Sequence, residues 1–227
     1  MKKAFTMLEL IFVLIVIGVL AAVISPQMKS TKLREAAIQV VSHIRYTQHL
    51  AMVDDKYGDN SAGANDWYKK RWQIVFGASG AAIGANGKIA YSIFSDDGSD
   101  SREYSKPNLN ELALSPLSSD KYLSGGYAGI LDTDDARASS KMNIGASYSI
   151  SKVLFTGGCA SARVKRLSFD HLGRPLRGTF TSYNKPYIKT ATVGLIQTTC
   201  NIILRNSEGD VTIAIEPETG YAYIVKS

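Results

Sequence analysis

The chain opens with MKKAFTMLELIFVLIVIGVLAAVI, residues 1–24. From Phe5 to Ile24 the only charged residue is Glu9. A carboxylate at membrane depth costs roughly 2.5–3.5 kcal/mol on insertion scales, so it needs a partner or a use. If the chain is cut between Ala4 and Phe5, the new α-amine of Phe5 becomes a cation one helical turn from Glu9, in the same chain or in a neighbouring copy.

This segment resembles the prepilin signal of type IV pilins and type II secretion pseudopilins. In that family a prepilin peptidase removes the short basic leader, the new N-terminal Phe is methylated, and the glutamate guides subunits into a helical filament. The resemblance implies processing between Ala4 and Phe5 and an assembly role for Glu9. The family usually has glycine before the cut. Alanine is also small, so we expect cleavage here.

A secretory signal and a plain membrane anchor account for the segment less well. A secretory signal has an uncharged apolar centre and a small-x-small exit, whereas here Glu9 interrupts the centre and Leu20-Ala21-Ala22 is a poor exit. A plain membrane anchor is long enough, because twenty helical residues span about 30 Å. It does not explain Glu9. We therefore expect a leader at residues 1–4 and a transmembrane or filament-core helix at residues 5–25.

Pro26 follows the apolar run and matches the position of the helix-bending proline of the pilin family. Beyond it, apolar or small side chains recur at spacings of four and three, as they do on one face of a helix. These residues are Leu33, Ala37, Val40, Ile44, Thr47 and Ala51. Residues 26–56 are therefore predicted to continue the helix, with this face packed on a globular domain.

Residues 57–227 are predicted to form that domain, and its apolar residues recur with the period of two that β-strands show. The strand patterns are Trp72, Ile74 and Phe76; Ile89, Tyr91 and Ile93; Val211, Ile213 and Ile215; and Tyr221 and Tyr223. The polar stretch 96–141 is predicted to be an insertion of loops with one short helix. The fold class is therefore α+β: a long N-terminal hydrophobic and amphipathic helix packed on a mainly antiparallel β-sheet domain, as in pilins.

The C-terminal third carries a second pattern of strands and glycine turns. Its pieces are Leu167-Ser168-Phe169, Gly173-Arg174-Pro175, Ile202-Ile203-Leu204, Gly209-Asp210-Val211 and Glu218-Thr219-Gly220. The pattern resembles the GspH/FimT branch of minor pseudopilins. It does not extend to residues 60–160.

The two cysteines, Cys159 and Cys200, both fall in the domain that a pilin-type leader would place in the periplasm. That compartment is oxidising in many bacteria, so we expect a structural disulfide worth roughly 2–4 kcal/mol. Two separate buried thiols are the alternative. A metal pair lacks the Cys-x-x-Cys spacing or histidine cluster that would support it.

No catalytic constellation is evident. His43 and His49 lie on different faces of the predicted helix, and His171 stands alone beside a turn. The acidic runs 96–100 and 132–135 could hold calcium through clustered oxygens, but neither follows the twelve-residue loop pattern with a closing glutamate. We therefore expect a non-catalytic protein with no cofactor and no metal.

The chain has a net charge of +6, and the excess is concentrated between residues 163 and 189. The basic residues there are Arg163, Lys165, Arg166, Arg174, Arg177, Lys185 and Lys189. With aromatic residues between them, they could bind DNA phosphates and stack bases, and some FimT-like minor pilins act in DNA uptake. A solvated sheet face, or contact with acidic neighbours in a filament, is the simpler interpretation.

Together these observations predict a non-catalytic minor pseudopilin or minor pilin. It would cross the bacterial inner membrane once, with its C-terminal domain in the periplasm, and join or prime a type II secretion pseudopilus or a type IV pilus. The expected partners are the prepilin peptidase, the other pilins of the filament and the inner membrane. A DNA-uptake pilin is the first alternative. A membrane-anchored enzyme or ligand-binding domain is the second.

Overall fold

The first element is the helix α1, which spans Met7–Val53. The protein is described by a computed structural model over residues 6–54, 56, 67–77, 87–95, 97, 106–160, 165–179, 181, 183–188, 190 and 193–225. Within α1 the side chains of residues 22–31 lie outside this description, so the bend at Pro26 stays a prediction. The leader and Phe5 also lie outside it.

The second half of α1 packs on the globular domain through the predicted face. All six residues of that face are buried, and so are Ala36 and Val41 beside them. Thr47 is tolerated in this apolar setting because its hydroxyl donates to the His43 carbonyl at 2.7 Å. The predicted amphipathic face is confirmed. The helix ends at Val53, where the Asp54 N–H donates to the Leu50 carbonyl at 2.8 Å.

The rest of the described chain forms antiparallel sheets and a short helix, α2 (Ile144–Tyr148). The strands are β1 (Trp72–Gly77), β2 (Ala90–Ser95), β3 (Leu114–Ser115), β4 (Ser118–Tyr122), β5 (Lys152–Gly157), β6 (Lys165–Phe169), β7 (Pro175–Arg177), β8 (Gly194–Leu195), β9 (Cys200–Asn206), β10 (Gly209–Ile215) and β11 (Ala222–Ile224).

Two sheets share one core under α1. One sheet has the order β2-β1-β6-β7-β8 and the other β11-β10-β9-β5, while β3 and β4 pair as a separate hairpin. All neighbouring strands are antiparallel. The core cluster contains residues of α1 and of both sheets, for example Ile44, Ile74 and Ile213. The α+β class with antiparallel sheets is confirmed.

The insertion covers the outer face of β1 and β2. Its residues Leu112, Leu131 and Ala138 form a second apolar cluster with Val75 of β1 and Phe94 of β2. A period-two pattern indicates a strand with one solvated face. Here both faces of β1 and β2 are buried because residues 106–141 pack on the outer one. The insertion contains the β3–β4 hairpin and three short 3-10 turns.

Polar side chains attach α1 to the first sheet. Gln39 Nε2 donates to the Tyr91 hydroxyl at 2.7 Å, and the Tyr148 hydroxyl donates to Gln39 Oε1 at 2.7 Å. Tyr91 Oη lies 2.7 Å from His43 Nδ1. Which of these two groups donates depends on the tautomer of the His43 ring. Burial lowers the pKa of His43 to about 4, which keeps the ring neutral.

A second attachment joins α1 to two glycine turns, one between β6 and β7 and the other between β10 and β11. Gln48 Nε2 donates to the Gly173 carbonyl at 2.8 Å and to the Thr219 carbonyl at 2.7 Å. Gly173 and Gly220 have φ of 78° and 65°. A Cβ on Gly220 would lie 2.5 Å from the Gly173 oxygen and 2.6 Å from Gln48 Nε2. The two glycines therefore allow the turns to meet at one helix side chain.

The predicted disulfide is confirmed. Cys159 and Cys200 are bonded, 41 residues apart in the sequence, with their Cα atoms separated by 5.0 Å. The bond joins the turn after β5 to the first residue of β9, its partner in the sheet. It therefore closes one end of a strand pair that backbone hydrogen bonds already hold.

We predict that unfolding becomes easier between pH 6.5 and pH 4 because of His43, whose pKa falls from 6.5 to about 4 on folding. The unfolded chain binds the proton first as the pH drops, so the stability contributed above pH 6.5 is lost on the way to pH 4, up to about 3 kcal/mol. His43→Gln keeps an acceptor for Tyr91 and does not titrate. Denaturant unfolding across this range should therefore show a shallower pH dependence for the variant.

His49→Gln, on the exposed side of α1, is the control and should keep the parental slope. An unchanged slope in His43→Gln would contradict the prediction.

We predict that Gly220→Ala destabilises the fold by at least about 2 kcal/mol, because a left-handed alanine is strained and its Cβ would displace the Gln48 junction. Gly87→Ala is the matched control, since Gly87 has φ of 70° and a Cβ there would meet nothing within 4 Å. The control should lose only about 1 kcal/mol. Equal losses in the two variants, measured by denaturant unfolding, would show that the junction contributes nothing.

Candidate interaction surface

The first part of α1 is an exposed apolar surface, which we call the apolar arm and define as Met7–Leu20. Its large apolar side chains are exposed by between 41% at Val16 and 82% at Met7. They surround the helix on all sides. A helix that is apolar all round is usually buried in a larger assembly or in lipid. Soluble monomers rarely expose a continuous apolar patch of more than a few hundred Å².

The predicted transmembrane segment, residues 5–25, lies partly outside the described residues, at Phe5 and from residue 22 onward. In the described part of the chain, no helix has the length and apolar character needed to cross a membrane.

Glu9 takes part in a capping box at the start of the arm. Thr6 Oγ1 accepts a hydrogen bond from the Glu9 N–H at 3.3 Å, and Glu9 Oε2 accepts from the Thr6 N–H at 3.4 Å. This arrangement satisfies backbone donors that the first helical turn leaves unpaired. The described hydrogen bonds of the Glu9 carboxylate both use Oε2.

The capping box has a sequence signature that the charge of Glu9 alone does not reveal. Thr6-Met7-Leu8-Glu9 is the S/T-x-x-E pattern of a helix start. Cleavage between Ala4 and Phe5 would keep both capping residues. A local structural role for Glu9 must therefore be separated by experiment from a role in docking subunits.

The basic segment does not present all of its charges at the surface. Arg163 and Lys189 lie outside the described residues. Arg166 needs correcting as a contact residue, because it is only 2% exposed. Its guanidinium donates to Gln73 Oε1 at 2.5 Å and to the Tyr127 hydroxyl at 3.1 Å, underneath the insertion.

Arg174 and Arg177 are engaged inside the domain. Arg174 pairs with Asp170, with an N–O distance of 2.8 Å. Arg177 donates to the carbonyls of Gly158 and Thr190 at 2.7 and 2.9 Å. Lys185 is exposed and Lys165 is half-buried. The hydrogen bonds of the two arginines are therefore used to hold turns and loops together.

A set of basic residues that only partly overlaps this segment comes together at an open groove of about 600 Å³. Lys88, Lys152 and Lys165 line it, with no acidic residue among the described lining residues. Burial, and then the charge of Lys152, lower the pKa of Lys165. Lys152 begins β5, Lys165 begins β6, and Lys88 precedes β2, far from both in the sequence. Only the fold brings them together.

The described residues contain no group of three or more His, Cys, Asp or Glu side chains placed to hold a metal ion. Asp135, in one of the acidic runs considered for calcium, pairs with Arg137 at 2.9 Å.

Comparison of the chain with protein-family models, with curated proteins and with solved structures finds no match.

Proposed function

We propose that the chain is a subunit of a helical protein filament, in which the apolar arm of α1 packs against the arms of neighbouring subunits. Within that class, the resemblances at both ends of the chain favour a non-catalytic minor pseudopilin or minor pilin. It would be processed between Ala4 and Phe5 in the bacterial inner membrane. Its domain would stay on the periplasmic side and would join or prime a type II secretion pseudopilus or a type IV pilus.

The observation that carries this proposal is the contrast between the two parts of α1. From Leu33 to Ala51 one face of the helix is buried by its own domain. From Met7 to Leu20 all the large apolar side chains are exposed. Full burial of one such side chain stabilises by about 1.5–3 kcal/mol. Packing of the arm in an assembly or in lipid is therefore strongly favourable.

The disulfide supports the location of the domain. Disulfides persist in oxidising compartments such as the periplasm and are rare in the bacterial cytosol. The bond between Cys159 and Cys200 is therefore consistent with a domain outside the inner membrane.

The central test replaces Glu9 and its capping partner separately. Glu9→Gln removes the charge and retains a side-chain oxygen that can accept the capping hydrogen bond. Glu9→Val removes both the charge and the oxygen. Thr6→Ala disrupts the box and keeps the charge. If Glu9 docks on the Phe5 amine of a neighbour, both Glu9 variants should lose roughly tenfold or more in crosslinking between subunits, and Thr6→Ala should assemble as the parent does.

Mass spectrometry of the N-terminal peptide provides the control for this test. All three variants should begin at a methylated Phe5, because the cleavage site itself is unchanged. Parental assembly by Glu9→Gln together with failure of Thr6→Ala would show that Glu9 acts only as a cap. A mature start near Val23, or an intact Met1, would overturn the pilin assignment.

A second candidate function is nucleic-acid binding at the groove described above, which we call the lysine groove. This groove replaces the complete basic segment as the surface that would bind DNA. Lys88, Lys152 and Lys165 face one open surface without an acid among the described lining residues. Such clusters bind phosphates without sequence preference. A DNA-uptake role would use this groove while the arm holds the subunit in its filament.

We predict that replacing Lys88, Lys152 and Lys165 together by Gln weakens DNA binding and flattens its salt dependence, by up to about three phosphate contacts. Fluorescence anisotropy with a random duplex at several salt concentrations measures both effects. Replacing Lys32, Lys56 and Lys121 by Gln changes the net charge equally and should leave the slope as in the parent. Absence of binding by the parent protein at low salt would remove this candidate function.

A further inference from the structure

The lysine groove lies at the end of the domain from which the apolar arm extends. Tyr91, near the start of β2, bonds to Gln39 of α1, whereas the last residue of β2 pairs with Trp72, whose Nε1 donates to Asp54 just beyond the helix. β2 therefore runs beside α1 from the level of Gln39 to the C-terminal end of the helix. Lys88 precedes β2 and so lies on the arm side of the domain.

The other two lysines of the groove lie at the same end of the domain. Phe76 of β1 stands opposite Tyr91 on one side and Lys165 on the other. Lys152 begins β5 opposite Arg205, at the end of the second sheet that is remote from the turn between β10 and β11 held by the end of α1. The three lysines are therefore gathered where α1 enters the domain.

The acids near this end of the domain do not line the groove. They are Glu35, Asp132, Asp134, Asp135, Glu208 and Asp210. None of them is among the described residues that line the groove. Asp135 pairs with Arg137 at 2.9 Å. Asp210 pairs with Arg205 at 2.6 Å. The described lining residues of the groove therefore contribute positive charge only.

The length of helix between the arm and the domain lets the groove reach a bilayer surface. Gln39 comes fourteen residues after residue 25, the predicted end of the membrane span, and fourteen helical residues extend about 21 Å. Lys88 lies three residues nearer to the arm than Tyr91, which shortens the gap by about 10 Å, and its own side chain extends about 6 Å further. The remaining gap of about 5 Å matches the headgroup layer, which is about 5–8 Å thick on each side of the hydrocarbon core.

The groove also has the composition that binds a lipid headgroup. Its three ammonium groups suit phosphate oxygens, Ser149 and Ser151 supply hydroxyl donors, and Ile89 and Ile150 supply apolar surface beside them. An anionic lipid presents matching groups in order, a phosphate followed by the glycerol and the acyl chains. Clusters of lysine and arginine next to a membrane span bind anionic headgroups.

We propose that the lysine groove binds the phosphate groups of anionic phospholipids in the bilayer that holds the arm. This inference rests on the proposed function, in which the subunit is inserted through its arm before it enters a filament. Headgroup binding would draw the groove end of the domain onto the membrane. Since lipid and DNA phosphates have the same chemistry, the groove would become free for DNA only after the subunit leaves the bilayer.

The test measures the reactivity of individual lysines in the full chain. The protein is reconstituted in vesicles of phosphatidylcholine, or of an equal mixture of phosphatidylcholine and phosphatidylglycerol, and is methylated briefly with formaldehyde and a borane. Mass spectrometry gives the methylated fraction of each lysine. The anionic surface alone lowers the reactivity of any nearby amine about threefold. Lys88, Lys152 and Lys165 should fall about tenfold or more, because bound phosphates keep their amines protonated.

Two lysines of the same chain are controls. Lys32, exposed on α1 next to the arm, should fall by no more than about threefold. Lys185 is exposed at the far end of the domain, near Tyr187, whose ring contacts Trp67, and should not change. An equal fall at Lys32 and at the groove lysines would show a surface potential alone and would overturn the proposal.

A matched pair of variants tests whether the lysines act on one phosphate site. Lys152→Gln should reduce the protection of Lys88 and Lys165 in the anionic vesicles about threefold or more. Lys121→Gln removes a lysine of the insertion and should keep the parental protection. Both replaced side chains are at least partly exposed, so both variants should fold, and retention of the disulfide is the check. Parental protection in Lys152→Gln would contradict a shared site.

Flotation of the vesicles in a density gradient separates this inference from the proposed function. A chain that floats with both kinds of vesicle but shows equal lysine reactivity in them overturns the inference alone. A chain that floats with neither overturns the insertion of the arm, and the inference with it.

Two soluble ligands distinguish other sources of phosphate. In vesicles of phosphatidylcholine alone, sn-glycerol 3-phosphate at the concentration of the anionic lipid should not protect the lysines, because a bilayer raises the effective concentration of its headgroups at a tethered domain. Equal protection by this compound would assign the groove to a free phosphate ester. Protection by a random DNA duplex, with none by anionic lipid, would assign it to nucleic acid. Either result would overturn lipid binding.

Discussion

The burial of one face of α1 is the contact on which the rest of the domain depends. The two sheets are not hydrogen-bonded to each other along any described strand, and residues of α1 pack with residues of both sheets in a common core. Val40 and Ile44 are fully buried there. The same helix also carries the apolar arm, so an assembly that binds the arm binds a helix that is packed on both sheets.

Apolar packing alone would define the position of α1 poorly, because a helix can slide by one turn and still bury similar side chains. The polar attachments remove that freedom. Gln39 bonds to Tyr91 and to Tyr148, and Gln48 bonds to two separate turns. Sliding the helix would break these bonds together and leave buried polar groups unpaired. The helix therefore has one register on the domain.

The sequence predicts well those features that depend on the local spacing of apolar residues. The buried face of α1 follows from the spacing of residues such as Leu33, Ala37 and Val40, and the main strands follow from alternation. The disulfide followed from compartment and cysteine count. The capping pattern of Thr6 and Glu9 is also local, but it was not used to predict the start of α1.

The features that it missed depend on contacts between distant segments. Arg166 has the sequence context of a solvated strand residue, yet the insertion covers it. Lys88 and Lys165 meet only because of the strand order. Arg71 precedes a strand in a run of basic residues, where charge indicates a solvated position. Its burial depends on Tyr183, which is more than a hundred residues away in the chain.

The attachments of α1 also have a mechanical consequence. Gln39, Arg45 and Gln48 bond to the domain at three points along the helix, Arg45 through the Ala222 carbonyl at 2.7 Å. Tension along the helix axis therefore acts on all three in shear and at the same time. Tension perpendicular to the axis would peel them apart one after another. The domain should resist a pull on its arm far better along the helix than across it.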